Sequence, residues 1–117
     1  MRAPALFSKV ARWRRDDIVA AAQAEHRLGE IVLECEVWIA FDTREVAFSQ
    51  SDAKETHGGI FTADYVLANW MRFLEEPGGR WIIPHLQAMA RGEDVRSAVL
   101  ADYAWQHGGE VPETVVW

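Results

Sequence analysis

The sequence predicts an α+β fold: a small antiparallel β-hairpin or three-stranded sheet packed against about four α-helices. Two patterns lead there. Apolar residues alternate with period two through "EIVLECEVWIAF", Glu30–Phe41, while several other segments repeat at helical spacing between recognisable cap residues. The length, 117 residues, suits one compact domain over 1–117. Half the residues are hydrophobic and six are Trp, enough to build a core and to exclude wholesale disorder.

In chain order, "MRAPALFSKVARWRR" sets Leu6, Val10 and Trp13 at spacings of four and three with basic residues between them. That spacing predicts a basic amphipathic N-terminal helix or arm over 1–15, docked on its own domain or laid on an anionic membrane. The short, modest apolar face favours docking. "DDIVAAAQAEHRLG" reads as a helix begun by Asp16 or Asp17, with His26 and Arg27 in its last turn and Gly29 at its exit. The strand follows, with Ile31, Leu33, Cys35, Val37, Ile39 and Phe41 on one face and Glu30, Val32, Glu34, Glu36, Trp38 and Ala40 on the other. A turn near Asp42–Arg44 leads into a second strand at about Glu45–Gln50.

"SQSDAKETHGG" reads as a polar loop. Thr62 caps the next helix, Asp64 favours its first turn and Pro77-Gly78-Gly79 ends it. A third helix tolerates Pro84 in its first turn and leaves through Gly92; a fourth starts under Asp94, with Leu100, Tyr103 and Trp105 expected to pack it. The tail "EVPETVVW" is extended and can add a strand to the hairpin.

The chain spells His-Gly-Gly twice. At 107–109 the triplet ends a helix, with Gly108 where a left-handed residue belongs. At 57–59 it precedes one, and His-Gly-Gly opening a helix resembles the start of the central helix of hotdog-fold thioesterases. That resemblance covers three residues, and the mainly helical pattern after Trp70 departs from a fold whose strands mostly follow its helix. Glu55, His57, Gly58 and Gly59 form the ligand-binding alternative, a small-ligand or acyl-thioester site whose free N–H groups hold an anion.

Other chemistries lack their motifs. There is no Gly-x-Ser-x-Gly and no phosphate-binding glycine loop of Walker or Rossmann form. His26, His57, His85 and His107 are scattered, and the single Cys35 falls on the apolar strand face. No catalytic residue, metal or cofactor is predicted. One cysteine, no 18-residue apolar run and a poor fit to a secretory signal make the cytoplasm the expected location.

Net charge is −6, yet residues 1–15 hold five basic side chains and no acid. The acidic remainder disfavours direct nucleic-acid binding and favours a basic protein partner. A helix-turn-helix reading of residues 84–105 fails on the same ground, because Asp94 and Asp102 oppose Arg96. Glu30, Glu34 and Glu36 share one strand face with Trp38, and like charges so placed repel unless an opposite charge meets them. These four residues are the predicted partner-binding surface, with Arg44 folding back on them as the intramolecular alternative. The expected role is a non-enzymatic interaction module, homo-oligomeric or not. Its acidity and Arg-over-Lys usage match phage or mobile-element accessory proteins, including anti-CRISPR-like inhibitors of nucleic-acid-binding defence complexes.

Overall fold

The computed structural model describes residues 3–14, 34–51 and 56–117. Within them, strands β1 (Leu6–Arg14), β2 (Glu34–Ala40), β3 (Glu45–Ser51), β4 (Thr56–Phe61) and β5 (Thr114–Val116) form one sheet in the order β4-β3-β2-β1-β5. Every pairing is antiparallel. Helices α1 (Ala63–Leu74), α2 (Ile83–Ala90) and α3 (Arg96–Gln106) fall between β4 and β5, with a 3-10 turn at Arg80–Ile82. The α+β class stands. The sheet is five-stranded rather than a hairpin or a three-stranded sheet, and three α-helices rather than about four lie among the described residues. The helix expected over Asp16–Gly29 lies outside them.

The largest correction concerns the N-terminus. Leu6–Arg14 is a strand, not an amphipathic helix or arm, and it runs between β2 and β5. A bulge explains the misreading. Lys9 pairs with Trp38 but Ala11 pairs with the adjacent Val37, so Val10 is an extra residue. Val10, Ala11 and Trp13 consequently all enter the same core cluster, whereas a regular strand would alternate them. The bulge reproduces the four-and-three spacing of a helix.

β2 alternates as its sequence dictates. Cys35, Val37 and Ile39 are fully buried against the helices, together with Val46 and Phe48 of β3. From the helical side come Val66, Phe73 and Leu74 of α1, Leu86 of α2 and Val99 of α3. Non-directional burial of this apolar surface is the main stabilising contribution. "THGGIF" corrects the loop expected there: Thr56–Phe61 is β4, paired residue for residue with β3 from Ser51 back to Val46.

For the three described helices the end signals held. Thr62 Oγ1 accepts a hydrogen bond from the Tyr65 N–H at 3.2 Å, and α1 ends at Leu74, just ahead of the Pro77–Gly79 turn. A kink at Trp70 lays its ring flat on Phe48, with centroids 5.0 Å apart. The Asp94 carboxylate accepts from the Arg96 N–H, and Gly92 and Gly108 take φ of 91° and 66° at the exits of α2 and α3. Trp105 is the exception, being 88% exposed. Val99, with Val95 just ahead of the helix, marks the buried side of α3, and a residue six positions beyond Val99 emerges on another side of the helix. Leu100 and Tyr103 are half-buried.

The Pro77–Gly79 turn packs on Trp13, where a Cβ on Gly78 would lie 2.2 Å from the Trp13 Cβ. Around Gly108 there is open space, and only its positive φ resists a side chain. Gly78→Ala is therefore expected to cost about 1–3 kcal/mol through overpacking, and Gly108→Ala about 1 kcal/mol through backbone strain. Chemical denaturation of both variants checks this; an equal or reversed order would contradict the seat of Trp13 under the turn.

Candidate functional site

Strand alternation that buries Val37 and Phe48 sends their neighbours to the opposite, open face of the sheet. Register turns those neighbours into rows. Lys9, Trp38, Ala47 and Ile60 stand side by side across four strands, and the next row is Arg12, Glu36, Ser49 and Gly58. Phe7 and Val115 pair at the β5 end. The face thus grades from apolar, with a buried cluster of Ala5, Phe7, Trp38, Ala40 and Ala47, to charged and hydroxylic.

Trp117 closes the apolar end. Its backbone exchanges hydrogen bonds with Ala5, at 2.6 and 2.9 Å. Its ring lies 4.9 Å from Trp38 and 5.2 Å from Phe7. Between Trp38, Trp117 and Ile60 runs a groove of about 370 Å³, floored by Ala47, Ser49 and Gly58, with Glu36 on its rim.

The predicted acidic surface is assembled here in part. Glu34, Glu36 and Trp38 share this face, while Glu30 lies outside the described residues. The opposite charge comes from β1. Arg12 Nε donates to Glu34 at 2.5 Å, an interaction that raises the guanidinium pKa further above its already high value and keeps it charged. Lys9 Nζ lies 3.9 Å from Glu36 and 3.3 Å from Glu113, and 5.2 Å from the Trp38 ring centroid. The Trp38 indole N–H donates to Glu36 at 3.2 Å. Arg44 does not fold back on these acids; it donates to the Glu93 carbonyl at 2.8 Å.

The ligand-binding alternative comes out differently. His57, Gly58 and Gly59 pair with Gln50, Ser49 and Phe48 inside β4, and α1 begins only at Ala63. Strand amides alternate between the two edges instead of converging, unlike those of a helix-opening loop. Glu55 lies outside the described residues. Sequence reasoning missed Trp117, Ile60, Lys9 and Arg12 as members of this face. Lys9 and Arg12 were visible as charges, but assigning them to a helix hid what they would meet.

Elsewhere, His85 Nε2 lies 2.5 Å from Asp102 Oδ2, beside the Trp81 ring. Cys35 is buried on the core side of the sheet. Among the described residues, no group of three or more His, Cys, Asp or Glu side chains is placed to hold a metal ion. No helix among them is long and apolar enough to cross a membrane. Around the α2–α3 turn, Arg91 pairs with Glu93 and Arg96 with Asp42. No family model, curated protein or solved structure matches the chain.

Cys35 alternates in register with Val37 under the helices, so its thiol should resist reagents that need a thiolate. Thiol labelling of the native protein should be slow and become fast on denaturation. Equally fast labelling of both states would contradict the strand register.

Proposed function

We propose that this chain is a non-enzymatic protein-interaction module that receives its partner on the open face of the sheet. The groove between Trp38, Trp117 and Ile60 carries the reading. Aromatic walls over a floor of small residues suit one large apolar side chain, and such anchors dominate the energetics of protein interfaces. Trp117 is anchored through its backbone to Ala5, just ahead of β1, which limits the ordering cost on binding.

Glu36 supplies the polar part. Its counter-ion Lys9 lies closer to Glu113 than to Glu36. An incoming Arg or Lys can therefore take Glu36 while Lys9 keeps Glu113. The net charge of −6 supports a basic protein as that partner and speeds encounter with one. A nucleic-acid-binding complex blocked by an anti-defence protein is the narrower instance, supported by composition.

Affinity capture followed by titration of the retained protein tests this reading. Trp117→Ala should weaken binding about tenfold or more, with a thermal melt to verify folding. Glu36→Lys and raised salt should both lower the association rate. A partner bound equally well by both variants would place the interface elsewhere.

A further inference from the structure

The two edges of the sheet are built differently. β5 has three residues and follows Pro112 closely, a short edge that offers little to another strand. β4 has six residues, contains no Pro or Lys, and keeps unbroken register with β3. Its residues make no backbone hydrogen bond outside the β3 ladder among the described residues, and Thr56, Gly58, Gly59 and Ile60 are exposed. Outward N–H and C=O groups on such an edge are a template for another strand.

We propose that β4 pairs antiparallel with β4 of a second copy of this chain, joining two sheets into one. Three properties select a second copy as the occupant. First, β4 carries no Asp, Glu, Lys or Arg, so on a chain of net charge −6 it is a strip where two copies meet without opposing like charges. Second, a two-fold axis perpendicular to the sheet keeps both open faces on one side, so opposed residues must share a face. Third, the strand is self-complementary in one such register. Centred on Gly59, it sets Ile60 of each copy opposite Gly58 of the other, a side chain against a bare backbone, twice over. The central Gly59 pair of that register falls on the other face, where the Phe61 ring sits against Gly59. Centring on Gly58 instead sets two glycines face to face on the open face and leaves a gap. In the Gly59 register the two grooves, each lined by Gly58 and Ile60, meet at the seam.

A single pair of six-residue strands is a small interface, so association is reversible and concentration-dependent. Sedimentation equilibrium of the full chain across the micromolar range should show the mass rising towards twice the monomer value. Ile60→Lys and, independently, Thr56→Lys should hold the chain monomeric with unchanged thermal melts. Val116→Lys, on β5, should leave self-association intact. Raising salt should strengthen the dimer by screening the repulsion between two acidic copies, the opposite sign from partner binding, so the two proposals fail separately. A chain that stays monomeric throughout, or a dimer that survives both β4 lysines, would overturn the inference. So would a dimer abolished by Val116→Lys.

Discussion

The pairing of β1 with β2 is the contact on which the rest of the structure depends. β1 lies between β2 and β5, so without it the C-terminal strand has no neighbour and Trp117 no seat. Its bulge at Val10 divides its side chains between two jobs. Val10, Ala11 and Trp13 enter the core under the helices, while Lys9 and Arg12 stand beside Glu36 and Glu34 on the open face. Exposed ion pairs of this kind contribute little to stability. Their effect is to let an acidic strand occupy the middle of a sheet without like charges opposing one another. Burial of Trp13 then reaches across to the Pro77–Gly79 turn, where glycine is required because the backbone lies against the indole.

How much of this was legible depends on whether a segment obeys one period throughout. Cys35, Val37 and Ile39 alternate without interruption, and their burial follows directly from the sequence. Helix ends were equally plain, since Thr62, Asp94, Gly92 and Gly108 act on their own neighbours. β1 was not legible, because one inserted residue converts period two into a spacing that a helix shares. β4 was hidden by its own composition: two glycines and no alternating apolar run look like a loop until β3 supplies the ladder. Trp105 shows that an aromatic residue on a helix need not pack; the position of Val99 decides which face is buried. On the open face, the grouping of Glu34, Glu36 and Trp38 followed from alternation alone. Their cations and Trp117 arrive from strands whose pairing is non-local, which no local pattern reveals.

The open face and the β4 edge make complementary demands on association. The groove sets aromatic rings beside a carboxylate, and for the basic partner proposed there added salt is unfavourable. The edge offers uncharged backbone and suits another copy, for which added salt is favourable. Ile60 belongs to both, as a wall of the groove and as the side chain that faces Gly58 across the seam. Self-association would therefore change the shape of the groove's outer end.

Amide hydrogen exchange across Leu6–Arg14 tests the central claim most directly. If this segment is an inner strand with Arg12 opposite Glu36 and Trp13 opposite Cys35, its ladder amides should exchange as slowly as those of β2. Protection should be lost only when the whole sheet unfolds. Fast exchange over 6–14 while β2 and β3 remain protected would contradict the account, leaving the basic segment a peripheral arm and the acids of β2 without their counter-charges.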